Sequence, residues 1–302
     1  MHDDTSAFLA NIENEKLRAR IQSLACLDRC DLATVFPKTR AMGAAGDVKK
    51  RIVMLRSVEP RLDRLLYPGE RIELVTKGTI NAFAEQYFMG IWSIIINRTL
   101  ILCTNFRIIL LSSDNKGRAR ALMWQIPYDR LKKYGRSMGN ITFKCVGGTF
   151  LRFVSVPAID RKRLKQYLAD RIDHARAAGP QFPSHADRDP LCPMCATPQP
   201  KAATACAECA TPFINPAHPA VMSLVIPGLG DLYLGHTAMG VMELLGFALL
   251  LLGLGAYVVT TGPAAIPESA LILVVANVVD AAMTYHVARK GKLAKSQTWR
   301  GH

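Results

Sequence analysis

Two long apolar runs near the C-terminus constrain the fold more than any other feature of the sequence. Residues 238–259 carry a single charge, Glu243, and residues 270–287 carry a single charge, Asp280. A helix that crosses a bilayer needs about 20 apolar residues. Residues 249–252 are all leucine and leave no polar face, which argues against the core helix of a soluble domain. The sequence therefore predicts two transmembrane helices.

The charges that flank these runs predict the orientation of the chain. Residues 260–268, which join the two runs, contain no lysine or arginine, whereas residues 290–302 form a basic tail. Positive charges accumulate on the cytoplasmic side of membrane proteins, so we expect both termini to be cytoplasmic. The first residues, Met1-His2-Asp3-Asp4, lack the basic region of a signal peptide. We expect an integral protein of the bacterial inner (cytoplasmic) membrane.

A glycine-rich segment leads into the first apolar run. It reads Ile226-Pro-Gly-Leu-Gly-Asp-Leu-Tyr-Leu-Gly235 and is followed by Gly240 and, late in the second run, by Asp280. With this Gly-x-Gly…Tyr-x-Gly entry motif, residues 217–289 resemble a family of small membrane domains with two transmembrane helices. The resemblance implies a helical hairpin and no catalytic residues.

Glu243 and Asp280 are the only acidic residues within the two apolar runs. Carboxylates inside a membrane are expensive to bury and often mark a functional site. One interpretation is a structural hydrogen bond between the helices, with one or both carboxyl groups protonated. The other is that several copies assemble around these side chains as a path for ions or protons. Two helices form a packed pair, which favours the first interpretation.

Four of the eight cysteines lie within residues 192–209, in two C-x-x-C pairs separated by ten residues. Each pair presents two thiolates from one tight turn, and two pairs complete a tetrahedral zinc site. The protein ligands fill all four positions, so we predict a structural zinc. An iron–sulfur cluster, a redox role and a degenerate site are the alternatives. Residues 191–213 resemble the small zinc ribbons of bacterial proteins, with these predicted ligands: Cys192, Cys195, Cys206 and Cys209.

Short apolar segments separated by turns dominate residues 61–178, and residues 179–190 have the composition of a linker. Successive short strands with tight turns indicate an antiparallel sheet or barrel. Apolar residues at helical spacing then predict a helix over residues 159–178. The pattern is that of an α+β domain. The predicted strands are residues 71–80, 87–96, 99–103, 107–112, 121–127, 131–134, 140–145 and 149–154.

Three motifs in this region carry a second resemblance. They are Tyr67-Pro68-Gly69-Glu70, the run from Leu100 to Arg107 and Ile126-Pro127-Tyr128. Residues 65–173 resemble bacterial pleckstrin-homology-like domains. The resemblance implies a bent, nearly orthogonal sheet capped by a C-terminal helix. It also implies a ligand drawn from lipid headgroups, peptides or partner proteins, among which the fold does not choose.

Residues 1–60 form an N-terminal region. Apolar residues at helical spacing predict an amphipathic helix over residues 5–28, which either packs against the rest of the protein or docks on a membrane surface. Glu13 and Glu15 weaken the second interpretation. Residues 37–60 are rich in proline and glycine and are expected to form a connector with a short helix near residues 48–55.

The formal net charge of +14 suggests an anionic partner. Basic residues that follow residue 117 are the candidate surface for anionic lipids or a partner protein, and a second basic run follows residue 160. A merely solvated surface is the alternative, because membrane proteins carry excess positive charge on their cytoplasmic side. The candidates are Arg118, Arg120, Arg130, Lys132, Lys133 and Arg136, and the second run is Arg161, Lys162, Arg163 and Lys165.

Catalytic motifs are absent from the sequence: it has no G-x-S-x-G, H-E-x-x-H or Walker A pattern. We therefore expect a non-enzymatic, membrane-anchored adaptor of multidomain α+β architecture that binds a partner protein or anionic lipid headgroups. A second copy of the chain, bound through the membrane helices, is a further candidate partner. A subunit of a channel or transporter that uses Glu243 and Asp280 is one alternative. A membrane-tethered nucleic-acid-binding protein is another, although Lys201 is the only cation between Cys192 and Cys209.

Overall fold

The structure is a computed structural model that describes residues 2–39, 43–137, 139–179 and 183–295. The chain divides into two compact units, Met1–Lys201 and Ala202–His302. The first unit is a mixed α+β fold built on an antiparallel sheet. The second contains the long apolar helices.

The sheet of the first unit has the strand order β5-β6-β7-β1-β2-β3-β4-β8. Seven of these strands follow the pattern of short apolar segments found in the sequence. Every pairing between them is antiparallel. The strands are β1 (Ile72–Ile80), β2 (Arg98–Thr104), β3 (Arg107–Ser113), β4 (Ala119–Pro127), β5 (Leu131–Ser137), β6 (Asn140–Cys145), β7 (Phe150–Val154) and β8 (Asp189–Pro190).

Two hydrophobic cores lie on opposite faces of the sheet. Side chains alternate between the faces of a strand, so Leu100 and Leu102 enter one core while Ile101 and Cys103 enter the other. A long C-terminal helix, Ala158–Ala178, covers the second core with its buried leucines. Because both faces are covered, the central strands read as continuous apolar runs without alternation.

The N-terminal helices cover the other face of the sheet. The structure divides the helix predicted over residues 5–28, because Asn14 caps a second helix by accepting a hydrogen bond from the Leu17 backbone N–H at 3.1 Å. Leu17 and Ile21 are buried in the core shared with the sheet, so this face of the helix is not available to a membrane. The helices are α1 (His2–Ala10), α2 (Glu15–Gln22), α3 (Leu32–Val35), α4 (Ala44–Val58) and α5 (Leu62–Leu65).

The strand predicted over residues 87–96 is wrong. Thr79 near the end of β1 pairs directly with Arg98 at the start of β2, so residues 87–96 lie in the connection between these two strands and form no strand of the sheet. This connection forms two short helices instead, α6 (Phe83–Met89) and α7 (Ile91–Ile96). Gly90 joins them with φ of +52°, a value that L side chains rarely adopt. The C-terminal helix of the unit is α8 (Ala158–Ala178).

The second half of the predicted linker is attached to the sheet. β8 pairs with β4, placing Asp189 opposite Gln125. Asp187 accepts hydrogen bonds from the backbone N–H groups of Gly147 at 2.8 Å and Thr149 at 3.1 Å, and so caps the turn between β6 and β7. Residues 180–182 lie outside the described part of the chain.

The second unit contains α9 (Ala217–Val225), α10 (Leu229–Tyr233), α11 (Thr237–Thr261) and α12 (Ile266–Ala288). α9 packs against α12, and α10 against α9 and α11. Gly230 permits a close approach, because a Cβ atom there would lie 2.2 Å from the Pro219 carbonyl oxygen. Helices α11 and α12 have the length and hydropathy of membrane spans, and Leu252 on α11 is 71% exposed.

Candidate metal centre and ligand-binding surfaces

The two C-x-x-C pairs adopt the same backbone turn. In the first, Cys192 donates its N–H to Thr197 and accepts from the N–H of Ala196 at its carbonyl. In the second, Cys206 makes the equivalent bonds with Thr211 and Ala210. Ala196 and Ala210 both have positive φ, 59° and 53°. The cysteine spacing can be read from the sequence. The positive φ values of Ala196 and Ala210 cannot, because nothing in the sequence distinguishes these two alanines from the others.

The four sulfur atoms of Cys192, Cys195, Cys206 and Cys209 lie within 4.8 Å of one another. A tetrahedral zinc with bonds of about 2.3 Å needs sulfur atoms about 3.8 Å apart. Four thiol donors at this spacing fit a metal ion that prefers sulfur, and they leave no open position for a substrate. The cluster is therefore compatible with a structural metal site.

The other four cysteines are buried within the first unit. Burial raises the pKa of Cys145 to about 11 and that of Cys103 further, so both thiols are protonated and unreactive at neutral pH. The Sγ atoms of Cys26 and Cys30 are 3.9 Å apart. Their hydrogen bond, together with burial, raises the pKa of Cys30. These four cysteines behave as apolar core residues.

The basic residues predicted as one surface lie at two separate places. Arg118 and Arg120 lie at the start of β4, whereas Arg130 follows its end. Arg118 forms an ion pair with Asp114 at 2.6 Å, and the hydrogen bonds from Arg118 and Lys116 lower the pKa of Asp114 although its partial burial opposes this. The length of β4 therefore separates Arg118 from Arg130, and the surface predicted from all six residues stays a prediction.

A smaller basic surface forms on β5 and β6. Lys133 lies directly opposite Lys144 in the strand pair, and both side chains are exposed, as is that of Lys132. Arg136 belongs to the same strand, but its side chain lies outside the described ones. Like charges that face each other across a strand pair are destabilising. Sequence reasoning missed Lys144, because only the register of β5 and β6 places it beside Lys133.

The second basic run lies on α8. Lys162 and Lys165 are exposed. Arg161 and Arg163 instead donate hydrogen bonds to the carbonyl oxygens of Gly139 and Thr34. Arg161 and Arg163 therefore attach α8 to the segments that contain Gly139 and Thr34.

The residues that carry the pleckstrin-like motifs form one buried network. The guanidinium of Arg107 makes two hydrogen bonds to Glu70, at 2.9 and 3.0 Å, and lies 4.3 Å from the centre of the Tyr67 ring. Thr104 donates to Glu70 at 2.7 Å and accepts at its carbonyl from the hydroxyl of Tyr128 at 2.7 Å. These motif residues hold the sheet together and do not form an exposed ligand site.

Three carboxylates meet in the second unit. Oxygen atoms of Asp231, Glu243 and Asp280 lie within 4.8 Å of one another. Asp231 accepts a hydrogen bond from Thr284 at 3.0 Å, and Asp280 accepts one from the Gly228 N–H at 3.1 Å. The sequence identified Glu243 and Asp280 but not Asp231, which belongs to the entry motif and lies outside the long apolar runs.

Comparison with known proteins finds a family match within the first unit. Residues 66–166 match the family model of the bacterial PH domain. The crystal structure of the C-terminal domain of an unknown protein from Leishmania infantum is similar, with 14% identity over 39% of this chain and 92% of that chain and a TM-score of 0.28. No curated protein matches the chain. The family match supports a binding or adaptor role.

Proposed function

We propose that this protein is a membrane-anchored, non-enzymatic adaptor whose PH-like domain binds anionic lipid headgroups on the cytoplasmic face of the bacterial inner membrane. The observation that carries the proposal is the presence, in one chain, of a match to the bacterial PH domain and of two helices of span length. The helices supply the anchor, and the sheet with α8 supplies the recognition module.

The orientation follows from the charges beside the helices. Residues 260–268 have no basic side chain, whereas Arg289, Lys290 and Lys292 follow α12. By the positive-inside rule both termini are cytoplasmic. The cytoplasm keeps thiols reduced, which suits a cluster of four cysteine ligands. We propose that zinc fills this cluster and serves only to fold the local chain.

The lipid-binding surface is proposed to lie on β5 and β6. Lys132, Lys133 and Lys144 are exposed there, and the last two face each other across the strand pair. A bound phosphate group would offset the repulsion between the two ammonium groups. Near an acidic leaflet each cation contributes about 1 kcal/mol, so three of them supply a modest, salt-dependent affinity.

The experiment is flotation of residues 1–213, a fragment that keeps all four cysteines of the cluster, with liposomes. It should float with anionic vesicles more than with neutral ones, and the excess should fall as salt is raised because screening weakens exposed charges. Lys133→Ala/Lys144→Ala should lose most of that excess. Lys162→Ala/Lys165→Ala, on exposed positions of α8, is the matched control.

Equal flotation with anionic and neutral vesicles at low salt would eliminate headgroup recognition. A partner protein would then be the better ligand for the PH-like domain. The alternatives of a channel subunit and a nucleic-acid-binding protein predict ion flux in proteoliposomes and salt-sensitive retention of DNA, respectively.

A further inference from the structure

The helices α6 and α7 expose several large apolar side chains. Phe83, Tyr87 and Ile91 are 85%, 77% and 68% exposed. Ser93 on α7 and Asn97, which caps its end, are instead buried, and Asn97 donates a hydrogen bond to Glu85 at 2.5 Å. Met89 is buried and Gln86 is exposed, as in an ordinary surface helix. A soluble surface helix buries most of its large apolar side chains, and α6 and α7 leave these three in contact with solvent.

A second apolar element adjoins these helices. The backbone N–H of Asn81 donates to the Arg152 carbonyl at 2.7 Å, so the segment that enters α6 runs beside β7. Phe150, two residues earlier on β7, is 60% exposed, and Val146 in the preceding turn is 59% exposed. Exposed apolar side chains from two separate connections of the sheet thus occur together, which marks an interaction surface and not an isolated exposed residue.

The chemistry of this surface fits lipid. Residues 81–97 contain no lysine or arginine and one acidic residue, Glu85. Their backbone is largely helical and therefore satisfies most of its own hydrogen bonds, which the apolar part of a bilayer requires. Aromatic residues such as Tyr87 and Trp92 are enriched at the membrane interface.

Cationic side chains lie beside the apolar surface, an arrangement that favours binding to an acidic leaflet. The pairing of β1 through β4 places the turn at residues 114–118 at the same end of these strands as α6 and α7. Lys116 and Arg118 in that turn are exposed, and Arg98 begins β2, two residues after the end of α7. An apolar centre with cations beside it is complementary to acyl chains beneath anionic headgroups.

We propose that α6 and α7 insert their exposed apolar side chains into the interfacial region of the bilayer that holds the α11–α12 anchor. This inference rests on the membrane anchorage in the proposed function, but not on headgroup binding by Lys133 and Lys144. Because α11 and α12 hold the chain at the membrane, α6 and α7 meet the bilayer at a high effective concentration. A surface of low intrinsic affinity is therefore enough to keep them bound. The insertion orients the PH-like domain on the membrane.

Trp92 on α7 provides the test. The full chain with Trp124→Phe/Trp299→Phe retains Trp92 as its single tryptophan and is reconstituted in vesicles with brominated or unbrominated acyl chains. Insertion to about 5–10 Å brings Trp92 to the bromines, which should quench its emission by about half. Trp92→Phe/Trp299→Phe, which retains only the buried Trp124, is the matched control and should not be quenched.

A second variant tests the apolar contact itself. Phe83→Asp/Ile91→Asp changes two exposed residues and should leave the fold intact, but it should abolish the quenching of Trp92 by brominated lipid. Quenching of Trp92 by aqueous iodide and not by brominated lipid, in a chain that resists extraction by alkaline carbonate, would overturn the inference alone. Extraction of the chain by carbonate would overturn the anchorage together with the inference.

Discussion

Arg51 and Asp160 form a buried ion pair, with 2.6 Å between the guanidinium nitrogen and the carboxylate oxygen. Arg51 belongs to α4 and Asp160 to α8. Thr76 on β1 donates to the same carboxylate at 2.7 Å, and Arg51 also donates to the Val75 carbonyl at 2.7 Å. The pair therefore joins the N-terminal helices, the sheet and the C-terminal helix of the first unit.

Arg51→Ala should destabilise the first unit strongly. Removing the guanidinium leaves the buried Asp160 carboxylate without its charged partner, which costs about 3–5 kcal/mol of unfolding free energy. Denaturant unfolding of residues 1–213 measures the loss. Arg56→Ala on the same helix is the matched control, because Arg56 is exposed and should contribute less than about 0.5 kcal/mol. Equal effects of the two variants would contradict the structural role of the pair.

The turn between β6 and β7 should depend on pH through Asp187. Burial raises the pKa of this carboxyl group, but hydrogen bonds from the backbone of Gly147 and Thr149 outweigh it and hold the pKa below its usual value. A depressed pKa gives stability that is present above the unfolded pKa of about 3.9. That stability is lost as pH falls through the native pKa.

Asp187→Ala should therefore lower the unfolding free energy at neutral pH by about 1–3 kcal/mol, and the difference from the wild-type chain should shrink below pH about 4. Denaturant unfolding of residues 1–213 over a pH series provides the measurement. Asp173→Ala, an exposed acid on α8, should show neither effect. A constant difference at every pH would show that the carboxylate charge is irrelevant.

Metal analysis of the purified full chain should find about one zinc per chain, bound by four sulfur atoms in X-ray absorption. Cys192→Ser should abolish stoichiometric metal, and Cys145→Ala should retain it because Cys145 lies in the sheet core. Protease resistance of residues 191–213 should fall when a chelator removes the metal. A metal-free chain with the same resistance would refute the structural zinc.

Gly230→Ala should disrupt the packing of the second unit, because the added Cβ would lie 2.2 Å from the Pro219 carbonyl oxygen and 2.6 Å from the Ser223 hydroxyl. Overpacking of this kind costs about 1–3 kcal/mol. Thermal denaturation of the full chain in detergent should show a lower midpoint. Gly253→Ala on α11, with no atom within 4 Å of the added Cβ, should unfold like the wild-type chain.

Alkaline carbonate should leave the full chain in the membrane pellet, and detergent should release it, because α11 and α12 have the length and hydropathy that a membrane span requires. A variant that ends at residue 201 should be released from the pellet by carbonate. Release of the full chain by carbonate alone would exclude spanning helices.

The sequence by itself determined those elements that can be recognised from a short stretch of neighbouring residues. Apolar length predicted α11 and α12, cysteine spacing predicted the tight sulfur cluster, and turn residues between short apolar runs predicted seven of the strands. Such signals depend on hydropathy and backbone preference within a few residues. The strand predicted over residues 87–96 failed because an apolar run of this kind reads equally as strand or helix, and only the pairing of Thr79 with Arg98 removed it from the sheet.

Tertiary structure decided what lies side by side. Register placed Lys144 opposite Lys133. The length of β4 separated Arg118 from Arg130, and the packing of the short helices added Asp231 to Glu243 and Asp280. The tertiary structure also brings Arg51 into contact with Asp160, which lies 109 positions later in the sequence. In the sequence, Arg51 is one of many basic residues. Contacts between distant residues are set by the free energy of the whole packed chain, and no pattern within a short window of the sequence encodes them.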